Sequence, residues 1–178
     1  MNARSETADG MSVNQKGFDF EEVFRAQYPH ITRLIARIVR DYARAEELAT
    51  EVFWKLIRNP QAQGDQCAGW LRRTAVRMGL NELRREARRD RYERLFGFSR
   101  TIVNPEETHA AFEQQQRVRV VLAAMDRRQS EVLLLRNEGL TYQELAVALK
   151  LNSASIGTYL VRAQKAFRKE YARRYGEG

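Results

Sequence analysis

The sequence is first narrowed by what it lacks. Its 178 residues hold one cysteine, Cys67, which excludes an internal disulfide and a multi-cysteine zinc site. Only three prolines and ten glycines interrupt it, and alternating β-branched runs are missing, so it reads as nearly all helix. No apolar run approaches the ~18 residues needed to cross a bilayer. The opening stretch MNARSETADGMSVNQKG has no apolar secretion core and predicts a disordered leader over residues 1–17. The expectation is a cytoplasmic chain with no membrane insertion.

The chemical absences point the same way. No glycine-rich phosphate loop and no nucleophile with a matching base appear, so no catalytic residue and no cofactor is expected. His30 and His109 would be the only obvious opening for an enzyme. Glu46, Glu47 and Glu51 fall close together, but no histidine lies near them, so no metal site is assigned. What is present is charge: 30% of residues are charged, the net charge is +8 and the pI about 10.0. That balance favours a polyanionic partner, nucleic acid before an anionic membrane.

Hydrophobic spacing divides the chain into two helical blocks. Block one, residues 18–89, opens with Phe20, Val23, Phe24 and Tyr28 and continues with Ile31, Leu34, Ile35, Ile38 and Val39. After Asp41 a second helix carries Ala45, Leu48, Ala49, Val52, Phe53 and Leu56 on one face. Asn59 to Gly69 reads as a polar loop, and a last helix runs from Trp70 into the basic tail LRREARRDR. Residues 90–111 lose periodicity around Gly97, Asn104 and Pro105 and read as a linker. Block two, residues 112–175, has Val118, Val121, Leu122 and Met125 on its first helix. Asp126 with Gln129, and Thr141 with Glu144, are capping-box patterns for the next two helices, and Asn152 can cap a fourth. The predicted fold is all-α: two small helical domains joined by a flexible linker.

The segment LTYQELAVALKLNSASIGTYLVRAQKAF, Leu140 to Phe167, has the geometry of a helix-turn-helix. Leu145, Ala146 and Leu149 face inward on its first helix, and Leu151 sits in the turn. Ile156, Leu160, Ala163 and Phe167 form the inward stripe of the second. Its outward face is then Ser155, Thr158, Tyr159, Arg162 and Lys165, where a major-groove reader carries its contacts. Lys150 occupies the turn position where glycine is usual. If that residue turns left-handed, the cost is on the order of 1 kcal/mol. Gly157 inside the second helix costs about another 1 kcal/mol.

Block one distinguishes among helix-turn-helix proteins. RAEELATEVFWKLIRN (Arg44 to Asn59), WLRRTAVRMGLNELRRE (Trp70 to Glu86), MDRRQSEVLLLRNEGLTYQELAVALKL and GTYLVRAQKAFR, in this order, resemble an RNA polymerase sigma factor of the sigma-70 family. The likeness is to the small extracytoplasmic-function (ECF) type and covers most of residues 20–170. It implies a transcription initiation factor with core RNA polymerase and promoter DNA as partners, and an anti-sigma factor as a further candidate. It implies that Glu47, Thr50, Glu51, Trp54 and Arg58 dock on the polymerase. It implies that the helix from Trp70 and the loop before it hold the opened −10 strand. Arg73, Arg77, Arg84 and Arg85 would supply charge there, and Asn59, Gln61, Gln63 and Asn81 hydrogen-bonding edges. It implies −35 duplex recognition by Ser155, Thr158, Tyr159, Arg162 and Lys165. Trp70 itself is read as a core residue that seats the loop. Thr50, Arg77, Asn81, Gly157 and Tyr159 depart from the residues common in the family. The alternatives are a stand-alone helix-turn-helix regulator binding duplex as a symmetric dimer, and a sigma-like interaction module with weakened promoter binding.

Overall fold

The computed structural model describes residues 18–95 and 109–176. The expected leader, and the centre of the stretch read as a linker, lie outside the described residues. Seven α-helices and one 3-10 turn, Pro60–Ala62, make up the described chain. The helices are α1 (Phe20–Val39), α2 (Tyr42–Ile57), α3 (Cys67–Leu95), α4 (His109–Ala124), α5 (Arg127–Asn137), α6 (Tyr142–Leu149) and α7 (Ser153–Tyr175).

Short polar side chains set most helix starts. Asp19 accepts from the Glu22 N–H and Asp41 from the Arg44 N–H, so α1 and α2 begin where orphan amides find an oxygen. Asp126 accepts from both Arg128 and Gln129. Thr141 and Glu144 form a complete capping box: Thr141 N donates to Glu144 Oε2 at 2.7 Å and Glu144 N to Thr141 Oγ1 at 3.2 Å. Asn152 accepts from Ala154 N at 2.9 Å. The helix-turn-helix closes through Lys150, which is left-handed (φ 55°), and through the Leu151 N–H donating to Ala146 O at 2.8 Å. The conditional strain at Lys150 is therefore present.

Two boundaries differ from the sequence reading. α3 begins at Cys67 instead of Trp70, because Cys67 N donates to Gly64 O and Trp70 N to Gln66 O, while Ala62 and Cys67 bury their side chains. It also runs on to Leu95, beyond Arg89, since DRYERL contains neither glycine nor proline to stop it. At the other end α4 starts at His109, ahead of Phe112.

The first three helices pack around Ile31, Ile35, Val52, Leu56, Leu71, Val76 and Leu80. Phe20, Phe24 and Tyr28 gather on Phe53, with the Phe24 and Phe53 rings edge to face at 4.9 Å. Trp70 is half-buried against this core, as expected. α5, α6 and α7 enclose Leu135, Leu140, Leu145, Ile156, Leu160 and Ala163. The blocks are not apart: α3 lies against α4, α5 and α6. Its apolar stripe serves block one and its opposite side faces block two.

Glycine positions separate space from conformation. A Cβ on Gly79 would stand 3.0 Å from Ile38 Cδ1 and 3.2 Å from Ile38 Cβ, so α3 approaches α1 only because position 79 is bare. A Cβ on Gly157 meets only Tyr142 Cε2, at an ordinary 3.7 Å. Gly79 and Gly157, both helical, are thus expected to respond oppositely to alanine. Gly157→Ala raises stability by about 1 kcal/mol through helix propensity. Gly79→Ala lowers it by about 1–3 kcal/mol because buried Ile38 must move. Urea unfolding of both variants, compared at constant m-value, checks the signs.

Candidate docking and nucleic-acid interfaces

Three surfaces follow from this packing. The first is the outer face of α2. Burying Ala45, Leu48, Ala49, Val52, Phe53 and Leu56 turns Glu47, Thr50, Glu51, Trp54 and Arg58 outward together, at helical spacing. All five are exposed, and Trp54, at 56% exposure, is among the most exposed large apolar side chains described. The Arg58 guanidinium lies 5.7 Å over the Trp54 ring. Arg44 pairs with Glu47 and, at 2.9 Å, with Glu82 of α3, and these acidic partners push its guanidinium above the ordinary arginine value. Thr50 Oγ1 donates back to Glu46 O at 2.9 Å. The result is an exposed aromatic with an acidic and basic rim, the chemistry of a protein-docking anchor.

The second surface is the outward side of α7. Thr158, Arg162 and Lys165 are exposed, and Ser155 and Tyr159 half-buried, over a stripe of Ile156, Leu160 and Ala163. The α7 N-terminal part carries the small hydroxylic residues Ser155 and Thr158 and its middle the cations, an order that suits base edges followed by phosphates. Further along, Glu170 binds Arg173 and Arg174, which hold its carboxyl well down, at about 2.

The third surface, the arginine side of α3 with the loop before it, is divided. Asn81 and Arg85 are exposed, and Gln61 stands out from the 3-10 turn. Asn59 is half-buried. Gln63 instead folds back: its Nε2 donates to Leu56 O at 3.2 Å and to Ile57 O at 3.4 Å, completing the end of α2. Three of the four arginines assigned from sequence to the single strand are turned toward block two. Arg77 Nε donates to Glu131 Oε1 at 2.8 Å. Arg84 Nε and Nη2 donate to Ala123 O and Met125 O, at 3.3 and 3.2 Å, capping the end of α4. Arg73 is half-buried, its Nε making no hydrogen bond. Burial, reinforced by Arg77, lowers the Arg73 guanidinium below the ordinary arginine value; burial and Arg127 do the same to Arg84.

Two residues essential to this arrangement were not legible as functional in the sequence. Glu131, 1% exposed, places one oxygen between Arg77 and Arg127 Nε, at 2.8 and 3.0 Å. Its only sequence signal is that a carboxylate shares a helical stripe with Leu135. Arg119 of α4, 14% exposed, donates to Ile38 O and Val39 O at 3.1 and 3.0 Å and pairs with Glu86 at 2.8 Å. It thereby caps α1 and joins α4 to α3. Nothing local marks an arginine as the cap of a helix some eighty positions earlier.

Burial pushes the Glu86 carboxyl above its usual range, with Arg119 opposing that rise. A raised folded-state pKa gives stability that is present at low pH and is lost as pH climbs through the folded value. Arg119→Ala leaves Glu86 and two helix-end carbonyls without their donor, and is expected to cost about 2–4 kcal/mol at pH 7. The loss is smaller at pH 5 than at pH 7, because removing Arg119 lets burial favour the neutral Glu86 carboxyl more strongly. Chemical denaturation of wild type and variant at both pH values measures this; a pH-independent difference would contradict it.

Residues 23–89 match the family described as sigma-70 region 2, and residues 115–167 match the family described as sigma-70, region 4. The first spans α1 to most of α3; the second spans α4 to most of α7. Among solved structures the chain is similar to the sigma factor RpoE from Bartonella quintana, in its co-crystal with the anti-sigma factor NepR. The identity is 16% and the TM-score 0.53, over 86% of this chain and 97% of that one, a likeness of fold. No curated protein sequence matches the chain.

Proposed function

Since the chain belongs to the sigma-70 family, region 2 followed by region 4, we propose that it is a transcription initiation factor of the extracytoplasmic-function type. The observation that carries the reading is the order of the two matches on two helical blocks, with the region 2 block presenting exposed Trp54. In this reading the factor associates with core RNA polymerase through Glu47, Thr50, Glu51, Trp54 and Arg58. A large amphipathic ring in a charged rim supplies affinity by leaving water, while the charges fix orientation. The chain carries out no covalent step. Its work is to choose where the polymerase starts.

Duplex recognition falls to α7. Ser155, Thr158 and Tyr159 approach base edges, and Arg162 and Lys165 the phosphates. Without a basic pair at positions 157 and 159 this helix makes fewer charged contacts, so association with the polymerase must supply much of the promoter affinity. Capture of the opened −10 strand falls to Gln61, Asn81 and Arg85, joined by Arg73, Arg77 and Arg84 once these are released. Cations track the backbone while polar edges meet an extruded base. An anti-sigma factor is a candidate regulator, because the similar RpoE is solved bound to one.

The test is run-off transcription by purified core polymerase on genomic fragments, with and without the chain. Promoter-specific transcripts are expected only with both; failure of the chain to co-purify with the polymerase would overturn the reading. Trp54→Ala should weaken core binding by about 2 kcal/mol, roughly thirtyfold, in a polymerase pull-down titration. Arg85→Glu should leave that titration unchanged and reduce promoter opening by permanganate footprinting. If both substitutions impair only core binding, the division between the α2 and α3 surfaces is wrong.

A further inference from the structure

The loop between α2 and α3 is held more tightly than its polar composition implies. The last carbonyls of a helix lack intrahelical donors. At the end of α2, Leu56 O accepts from the Asn59 N–H at 3.0 Å and from Gln63 Nε2 at 3.2 Å, and Ile57 O accepts from the same Nε2 at 3.4 Å. The carboxamide has two N–H donors, one for each carbonyl, which leaves Oε1 as its remaining acceptor. The 3-10 turn closes through the Ala62 N–H to Asn59 O and the Gln63 N–H to Pro60 O, at 2.9 and 3.1 Å. Gly64 then turns the chain at φ 125°, a conformation that favours glycine, and its carbonyl accepts from Cys67 N at 2.9 Å. Ala62 and Cys67 are buried, whereas Gln61, Asp65 and Gln66 are exposed. The loop is thus anchored at Ala62, Gln63 and Cys67 and carries its exposed polar side chains between these anchors.

We propose that Gln63 is a positioning residue for base choice: by tying the loop to the end of α2, it fixes where Gln61 and Asp65 meet an extruded base. The inference rests on the reading of this loop as part of the single-strand surface. Gln61 and Asp65 lie two positions to either side of Gln63, so one tether constrains both. Their chemistry suits base edges. A carboxamide offers a donor and an acceptor, and a carboxylate accepts from the amino group of adenine, cytosine or guanine. Such edges discriminate only where they are held to within about 0.5 Å of the productive geometry. A loose loop would adapt to several bases and would lose binding energy to its own ordering. The tether has a second consequence. The last turn of α2, which offers Leu56 O and Ile57 O to Gln63, also carries Trp54 and leads into Arg58, both proposed for polymerase docking. The base-reading edges are therefore fixed relative to the docking face through a single turn of helix.

The experiment uses holoenzyme reconstituted from core polymerase and the full chain. Its probe is a promoter recovered by run-off transcription, with the −10 region unpaired and its non-template arm randomised. Sequencing the bound fraction gives, at each position, the enrichment of one base over the others. That ratio is insensitive to a change that weakens all sequences equally. Gln63→Glu keeps the size and an acceptor oxygen, but it removes both donors and sets a negative charge against the carbonyl end of α2. It should cut enrichment at the position read by the loop about tenfold. Gln63→Lys keeps a donor that suits helix-end carbonyls, so enrichment should stay within about twofold of wild type. A Gln63 that touched the base through its own Oε1 would give the reverse order. Gln61→Ala or Asp65→Ala should erase the preference at the same position. All variants should match wild type in circular dichroism and in the polymerase pull-down; if Gln63→Glu does not fold, Gln63→Ala, which also lacks the donor, replaces it. Enrichment preserved without the donor, lost in Gln63→Lys, or unaffected by both Gln61→Ala and Asp65→Ala would each overturn the proposal and leave the initiation reading intact. Absence of promoter-specific transcripts with wild type would overturn that reading, and the proposal with it.

Discussion

The structure turns on one constraint: the second face of α3 is cationic, and guanidinium groups can be packed against protein only where acceptors meet them. The first face of α3 needs no such provision, since Leu71, Val76 and Leu80 fit against α1 and α2 by shape and apolar burial. The second carries Arg73, Arg77 and Arg84. Block two meets it with one buried carboxylate and the carbonyls at the end of α4. Arg119 reverses the direction, reaching from block two to the end of α1 and to Glu86. Without these pairings, contact between the blocks would bury uncompensated charge, at a cost of several kcal/mol per ion.

That constraint gives the two surfaces proposed for nucleic acid different standing. The α7 face is made within block two alone: its apolar stripe sits on α5 and α6, and its polar side is left to solvent. The α3 face already has internal partners, which block two supplies. A helix that grips a phosphate backbone must carry a row of arginines, and a row of arginines is also a surface to which a carboxylate can bind. The same residue chemistry thus suits packing inside the chain and recognition of a polyanion alike. The docking face proposed on α2 stands outside this packing, because Trp54 and its neighbours are exposed.

Much of the fold was legible because it rests on local physics. The apolar spacing of α2 named its six buried residues correctly, since burial follows a 3.6-residue period whatever the helix packs against. Asp126, Thr141 and Asn152 marked helix starts because an N-cap needs only its own next turn. Misplaced boundaries came where longer contacts decided: α3 starts early because Ala62 and Cys67 are buried under it. Gln63 looked like a free hydrogen-bonding edge, whereas it satisfies carbonyls at the end of α2.

By itself the sequence determined an all-α chain of two blocks, a helix-turn-helix in the second, and membership of the sigma-70 family, because these depend on periodicity, caps and the order of motifs along the chain. It also determined which side of α2 and of α7 points outward, since the buried stripe leaves only one side for solvent. Only the tertiary structure decided that the blocks lie together, that Glu131 and Arg119 join them, and which α3 arginines are engaged. Those facts rest on pairs separated by 33 to 81 positions. A charge row reads the same in sequence whether it faces water, nucleic acid or a buried carboxylate, and only the packing of the chain distinguishes them.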